Sequence, residues 1–466
     1  MINKAPPKKF LKLLITSFFI YMIFEGILRK WIFPNLSTQI YFVKDIFLII
    51  IYLIALKYDL IFKLKFSKLF IVLIIVISLF GFIGYDFSKN GIISFMLGIR
   101  SYWVFLPLFL IIIHLYDKSD LNKFLKLNLY LVLPYFLLIY LQSHSHHTAI
   151  INSGYDKMIL NPERPSGYFT YTTQNTYYFL FLFLSLCSFI LNKKELFTKD
   201  IIILSLSNFL LISVMILLKS RAVYFYVIVT VLYSTFFLIF SNSENILKLK
   251  KIFLILLVSG ISFSLSSSDL FFKDQYNYSE FRMNSDIPNE LNFVKDFEDK
   301  SFEISLPLTQ KKEVTLVNIT VKDYCSKYST FCRIINDLYF LPAIYSSTSF
   351  GKGIGAGTAP VVIFNKQKPY YLGENDSKRT IMELGYYVGL VLVLIKFLFV
   401  IILNFFALYK YRDKDNLIYI PMIVFVSTQL LLGPITYTVS FISYIFWIIM
   451  GFVFISFNQK DKNIKI

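Results

Sequence analysis

Four arginines lie beside long apolar segments of this chain, where a charged side chain is costly unless it is paired or functional. Arg164 precedes Pro-Ser-Gly, Arg221 lies in a tight turn, and Arg379 lies one helical turn before Glu383. Arg100 stands just before a Tyr-Trp pair and could equally be an interfacial anchor of the aromatic-belt kind. Because a planar guanidinium pairs with anionic oxygens through two hydrogen bonds, these arginines are candidates for binding an anion.

The same arginines have structural explanations, which the sequence leaves open. Arg164 could pair with the adjacent Glu163 in a surface loop. Arg221 could extend its side chain to the membrane interface while its aliphatic part stays in an apolar environment. Arg379 and Glu383 have the spacing of an ion pair on a helix surface, which contributes little to stability.

The composition requires these residues to be placed by a membrane-embedded scaffold. The chain has 466 residues, of which 56% are hydrophobic and 19% aromatic, and its mean hydropathy is +0.62. A soluble domain cannot bury that much apolar surface, so the sequence predicts a polytopic membrane protein. The formal net charge of +18 does not indicate a nucleic-acid partner, because Lys and Arg concentrate in the loops between apolar segments.

The apolar segments long enough to cross a bilayer predict an all-α fold with about twelve transmembrane helices. One large external loop, between helices nine and ten, interrupts the series. The predicted organisation is helices one to nine (1–266), an external loop domain that caps the site (267–380), and helices ten to twelve with a tail (381–466). The segments lie near 10–28, 38–56, 69–84, 102–116, 126–142, 176–191, 201–218, 222–240, 252–267, 381–408, 416–433 and 437–456.

Basic residues set the predicted orientation, because Lys and Arg of short loops stay on the cytoplasmic side. They concentrate in alternate connections, which predicts that both termini are cytoplasmic and that the long loop is external. Cys325 and Cys332 would then face an oxidising compartment. A disulfide between them requires a loop over 326–331, because seven helical residues would separate them by roughly 10 Å; the sequence leaves this open.

Several motifs receive structural interpretations. We expect Gly351 to Gly357 to be a flexible hinge, because no Gly-Lys-Ser/Thr closes it as a nucleotide loop would. The small-residue spacing of Gly385 and Gly389 predicts close helix packing. No internal repeat and no matching pair of Gly- or Pro-broken helices stand out in the two halves, which weakens a carrier interpretation.

The sequence predicts no metal site and no cofactor. His144, His146 and His147 follow an apolar segment with a spacing that indicates an exposed polar loop more than a metal centre. The external loops also lack an Asp-x-Asp pair of the kind that binds divalent cations.

A series of short motifs resembles the O-antigen ligase and O-antigen polymerase family of bacterial inner-membrane proteins. These motifs occur in the family's order and span most of the chain. They are Glu25-Gly-Ile-Leu-Arg29-Lys-Trp31 with Lys44-Asp45, Arg164-Pro-Ser-Gly167-Tyr-Phe, Lys219-Ser-Arg221-Ala, Phe350-Gly-Lys-Gly353-Ile-Gly355, and Asn375-Asp376 with Arg379 and Glu383-Leu-Gly385.

The resemblance implies a metal-independent glycosyltransferase of the inner membrane that uses a glycan on undecaprenyl pyrophosphate as donor. Polymerases of the family transfer the glycan to another lipid-linked repeat unit at the outer face, and ligases transfer it to lipid A core. The implied partners are the lipid-linked donor and acceptor, membrane lipids and a possible polysaccharide chain-length regulator.

The resemblance also suggests roles for residues. Arg164, Arg221, Arg379 and Arg100 would bind the donor pyrophosphate. The long-loop histidine that ligases use as a base is missing here, which favours a polymerase over a ligase. The remaining candidates for activating the acceptor hydroxyl are carboxylates, namely Glu374, Asp376 and Glu383.

Two functions from other classes stay open at this stage. A lipid-linked oligosaccharide flippase would need charges along a path through the membrane, and few intramembrane charges are present: Lys44, Asp45 and Lys396. A membrane sensor whose long loop binds a ligand would need no reaction at the arginines.

Overall fold

The structure is a computed structural model, and it describes a defined part of the chain. The described residues are 8–63, 65–154, 164–192, 198–240, 343, 347–356, 376–410, 414–433 and 440–458. The predicted helix at 252–267, the two cysteines of the long loop and Glu374 lie outside them.

Helices joined by short turns make up the described chain. A π-helix, Leu28–Ile32, directly continues α1, and 3-10 turns lie at Pro34–Leu36, Ile150–Asn152 and Lys414–Tyr419. The α-helices are α1 Lys8–Ile27, α2 Ser37–Lys57, α3 Lys65–Ile83, α4 Phe87–Trp103, α5 Leu106–Leu115, α6 Lys118–His144, α7 Thr172–Asn192, α8 Thr198–Leu218, α9 Arg221–Phe240, α10 Asp376–Lys410, α11 Ile420–Leu432 and α12 Ser440–Asn458.

Six stretches of these helices are long and apolar enough to span a membrane, and the described residues contain no strand, as expected for an all-α membrane protein. Five shorter apolar helices accompany them within the described residues. The count of twelve spans, the external loop domain and the orientation of the termini stay predictions. The six are Lys8–Ile32, Pro34–Lys57, Gly91–Leu115, Lys118–His144, Thr172–Leu191 and Asp376–Tyr409.

The predicted start of the fourth helix at residue 102 is wrong. The span there runs from Gly91 to Leu115, as α4 and α5 separated by a short turn before Leu106. Glycines, a serine and Arg100 lower the hydropathy of the first half, so that it resembles a loop in the sequence. Its helix forms because Arg100 and Ser101 find partners inside the protein.

Two short motifs fix the end of the bundle near the amino terminus. Asp117 caps α6 by accepting a hydrogen bond from the Asp120 backbone N–H, and the Asp120 carboxylate accepts one from the Asp117 N–H. This is a capping box, which satisfies two otherwise unpaired donors at the helix start. Asp120 also forms an ion pair with Lys12 of α1. We call this end of the bundle, which contains Lys12, Asp117 and Asp120, the Lys12 end.

The helix α10 folds back on itself at Gly385. The glycine has φ 82° and ψ 167°, values that a helix does not contain. Lys396 donates a 2.8 Å hydrogen bond to Asp376, although twenty residues of straight helix would separate them by about 30 Å. Residues 376–384 therefore form a short limb packed along the long limb 386–410. Close packing at Gly389 is confirmed, since a Cβ there would lie 2.5 Å from the Cα of Ile381.

The break at Gly385 leaves nearby backbone groups of α10 without partners in the helix. Residues 347–356, here called the glycine turn, supply hydrogen-bond partners for these groups. The N–H groups of Lys352 and Gly353 donate to the carbonyls of Met382 and Glu383, at 3.0 and 2.8 Å. The Tyr386 N–H donates to the Thr348 carbonyl at 3.3 Å. Broken helices are stable in a membrane only where other protein groups satisfy the backbone in this way.

Gly351 and residues 353–356 of the glycine turn are buried against α3, α4 and the short limb of α10, so they pack within the bundle instead of forming the expected flexible hinge. Gly351, Gly353 and Gly355 all have positive φ, between 71° and 90°. A Cβ on Gly98 of α4 would lie 2.6 Å from the Cα of Gly355, which shows how closely the two backbones approach. Residues 347–356 and 376–380, which the sequence placed in the external loop domain, thus pack among the helices.

Gly351→Ala should lower the free energy of unfolding by about 1–3 kcal/mol, because an added methyl group overlaps backbone atoms of Glu383 and Gly385. Gly81→Ala is the matched comparison: the three atoms nearest to its methyl group all belong to the Ile354 side chain and none to the backbone. Thermal denaturation of the purified proteins measures both. A Gly351→Ala protein no less stable than Gly81→Ala would contradict the packing described.

Candidate functional site

A buried triad occupies the short limb of α10. The Arg379 Nε donates to Glu383 Oε1 at 3.1 Å, and the Tyr102 hydroxyl donates to Glu383 Oε2 at 2.8 Å. The guanidinium also lies 5.5 Å from the centre of the Tyr102 ring. The ion pair that the sequence analysis left as an alternative is present, but it does not lie on a helix surface: the side chains of Arg379 and Glu383 are only 1% and 2% exposed. The fold-back at Gly385 encloses them.

The glycine break in α4 supports this triad from the neighbouring helix. Gly91 has φ 70° and ψ 156°, close to the values at Gly385. The Tyr85 hydroxyl donates to the Gly91 carbonyl at 2.9 Å, and burial raises the pKa of Tyr85 to about 12, so this phenol stays protonated. Two glycine-broken helices thus meet at the glycine turn, whereas the sequence predicted no such pair.

A second network lies between α2 and α4. The Arg100 Nε donates to Asp45 Oδ1 at 2.8 Å, and Nη1 donates to the Tyr41 hydroxyl at 3.0 Å. Nη2 of Arg100 is buried and has no hydrogen-bond acceptor among the described residues. Arg100 is therefore a paired, mostly buried cation whose Nη2 group has two N–H donors to spare.

Glu25 at the end of α1 extends the second network. Its carboxylate accepts from Lys44 Nζ at 3.2 and 3.3 Å and from Arg29 Nη1 at 3.2 Å. Lys44 is 1% exposed and lies 3.4 Å from the centre of the Tyr41 ring. Of the described charged side chains in this network, three are cations and two are carboxylates, so it carries an excess positive charge.

The two networks lie on different sides of α4. Arg100 and Tyr102 are two residues apart, which separates their side chains by about 200° around a helix axis. Arg100 contacts α2, and Tyr102 contacts the short limb of α10. Convergence of the arginines on one pocket therefore stays a prediction, with α4 as the wall between Arg100 and Arg379.

The segment 164–170 lies against the π-helix. Lys30 Nζ donates to Ser166 Oγ at 3.0 Å and to the Gly167 carbonyl at 2.9 Å. Gln142 Oε1 accepts from the Gly167 N–H at 2.8 Å, and Asn175 Nδ2 donates to the Pro165 carbonyl at 2.7 Å. This turn is thus held by α6, α7 and the π-helix at once.

The remaining predicted site residues differ in exposure and in whether the structure describes their side chains. Arg164 begins this turn and is exposed. Arg221 begins α9, and its side chain lies outside the described residues, as does Glu374. Asp376 is buried and paired with Lys396. The predicted exposure of the histidines after α6 is confirmed, and the described residues contain no group of three potential metal ligands.

The sequence analysis did not assign site roles to several residues of these networks. Glu25, Lys44 and Asp45 were noted only as part of a motif, although charges inside apolar segments are a functional signal by themselves. Tyr41 and Tyr102 carry no such signal, because tyrosine is abundant throughout this chain, at 33 residues.

Comparison of the chain with protein-family models, with curated proteins and with solved structures found no match.

Proposed function

We propose that this protein is a polymerase-type glycosyltransferase that joins polyprenyl-pyrophosphate-linked repeat units of a surface polysaccharide at the outer face of the membrane. The donor would be a glycan on undecaprenyl pyrophosphate, and the acceptor a second lipid-linked unit. A chain-length regulator is a possible partner.

The observation that carries the proposal is the mostly buried cation Arg100, whose Nη2 group is buried and has no hydrogen-bond acceptor among the described residues. A buried donor without an acceptor is uncommon and calls for an explanation. The network around it has more cations than carboxylates among the described residues, which an anionic ligand would neutralise. A pyrophosphate has the charge and the oxygens that such a guanidinium binds.

The proposed reaction needs positive charge more than any other group. As the bond between the anomeric carbon and the pyrophosphate oxygen breaks, negative charge grows on the leaving group. A preorganised cation that is shielded from water stabilises this charge more in the transition state than in the ground state. In the proposal the arginines supply that charge, and no metal ion is required. Arg379 is held for this role by Glu383 and Tyr102.

Three alternative functions are compatible with the same arrangement of helices. A ligase would use the same donor and transfer to lipid A core. A flippase gains support from the paired breaks at Gly91 and Gly385, because discontinuous helices form substrate sites in carriers. A sensor would catalyse nothing.

Deletion of the gene in a bacterium that carries it separates these functions. We expect surface glycan of single repeat units, with the ladder of longer chains lost and then restored by the wild-type gene. Long chains that stay on the lipid carrier would indicate a ligase. Absence of any unit from the surface would indicate a flippase. An unchanged ladder would contradict all three and leave the sensor.

A further inference from the structure

The proposed transfer needs a group that accepts the proton of the acceptor hydroxyl, and the two predicted carboxylates that the structure describes are already engaged. Glu383 accepts hydrogen bonds from Arg379 and Tyr102, and Asp376 pairs with Lys396. Glu383 lies on the same short limb as Arg379, so its carboxylate is suited to positioning that guanidinium. The base must therefore be sought elsewhere among the described residues.

Lys30 differs in its partners from two other buried cations, Lys44 and Arg379, and from the partly buried Arg100 and Lys396. It is 5% exposed, and its described hydrogen-bond acceptors are a hydroxyl and a carbonyl, both neutral. The ammonium also lies 4.4 Å from the centre of the Trp31 ring. Lys44, Arg100, Arg379 and Lys396 each contact a carboxylate instead. A lysine buried without a counter-ion is the kind that serves as a general base.

The position of Lys30 is unusual as well. It lies in the π-helix Leu28–Ile32, and such single turns occur often at functional sites. The turn it contacts starts with the exposed Arg164, two residues before Ser166. The pair Lys30–Ser166 thus lies next to one of the arginines proposed to bind the donor.

We propose that Lys30 is the general base of the transfer and that Ser166 relays the proton to it from the acceptor hydroxyl. This inference rests on the proposed function. An uncharged lysine amine can donate one N–H to the Gly167 carbonyl while its lone pair accepts the Ser166 hydroxyl proton. The observed distances of 2.9 and 3.0 Å suit both bonds.

The step balances without any further reactant. The acceptor oxygen forms a bond to the anomeric carbon as the bond from that carbon to the pyrophosphate oxygen breaks. The acceptor proton passes to Ser166 Oγ, and the Ser166 proton passes to Lys30 Nζ. Lys30 later releases this proton to water or to the departed pyrophosphate, and the pair returns to its starting state.

The charged groups on the elements around Lys30 leave it free for this role. Glu25 and Arg29, on the same continuous helix, pair with each other, and Glu25 also pairs with Lys44. Tyr168 of the contacting turn is buried, which raises the pKa of this phenol and keeps it uncharged. Arg164 is exposed.

The test uses the full-length protein in lipid nanodiscs with lipid-linked repeat units extracted from the deletion strain. We expect Lys30→Arg and Lys30→Met to lower kcat about 100-fold or more, the usual contribution of general-base catalysis, with little change in KM. The wild-type rate should rise with pH as Lys30 loses its proton, and this rise should be absent in both variants. Lys126→Met, an exposed lysine at the Lys12 end, should behave as wild type.

Ser166→Ala provides a second test if the Lys30 variants do not fold. It keeps the bond from Lys30 to the Gly167 carbonyl and removes only the relay, so kcat should fall while thermal stability is retained. Wild-type protein that elongates nothing would overturn the proposed function and this inference with it. Wild-type elongation together with unchanged rates and pH profiles in Lys30→Met or Ser166→Ala would overturn this inference alone.

Discussion

The Arg379→Met protein should lose about 3–5 kcal/mol of folding free energy, the usual result of leaving one member of a buried ion pair without its partner. Glu383, 2% exposed, would lose its cation and keep the hydrogen bond from Tyr102. The change should lower the midpoint of thermal unfolding of the purified protein in detergent.

The triple variant Arg379→Met/Glu383→Leu/Tyr102→Phe should recover most of that stability. It replaces the whole buried polar group by apolar side chains, and such replacements are often neutral or stabilising. An Arg379→Met protein as stable as wild type would contradict the burial of the triad. A triple variant less stable than Arg379→Met would show that the triad contributes to the fold in some other way.

Glu25→Gln should have a second large effect, again about 3–5 kcal/mol of folding free energy. The change leaves Lys44 and Arg29 without the carboxylate that both contact, and Lys44 is 1% exposed. Lys44→Met should cost less, because Glu25 keeps Arg29 as a partner. Chemical denaturation of the two variants, followed by intrinsic fluorescence, ranks them.

The matched control for this comparison is Asp120→Asn at the Lys12 end. It also removes a carboxylate from an ion pair, but Lys12 is 27% exposed, so solvent replaces the lost contact. The expected cost is about 1 kcal/mol or less. Equal losses in Glu25→Gln and Asp120→Asn would indicate that the Glu25 network is not a buried charge cluster.

Hydropathy was enough to predict the apolar helices, because each must cover about 30 Å of hydrocarbon with apolar side chains. It was not enough for α4, where Arg100 sits inside a helix and is neutralised by Asp45, fifty-five positions earlier in the chain. The four-residue spacing of Arg379 and Glu383 predicted their ion pair. Its burial depends on the fold-back at Gly385, which spacing alone does not reveal.

The candidate site shows the same limit. Charges in apolar segments can be recognised in a sequence, but their pairing cannot, because it depends on which helices become neighbours. The contact of Lys30 with Ser166 spans 136 positions and joins two motifs that the sequence presented separately. Glycine spacing predicted close packing at Gly389, whereas the positive φ of Gly351 and Gly385 required the structure.

The central claim, that buried arginines stabilise a departing polyprenyl pyrophosphate, is tested most directly by the elongation rate of Arg100→Lys. This change keeps a cation beside Asp45 and removes the buried Nη2 group on which the proposal rests. With lipid-linked repeat units in nanodiscs, we expect a folded protein that releases polyprenyl pyrophosphate about 100 to 1,000 times more slowly than wild type. An Arg100→Lys protein that is folded and elongates glycan at the wild-type rate would contradict the claim.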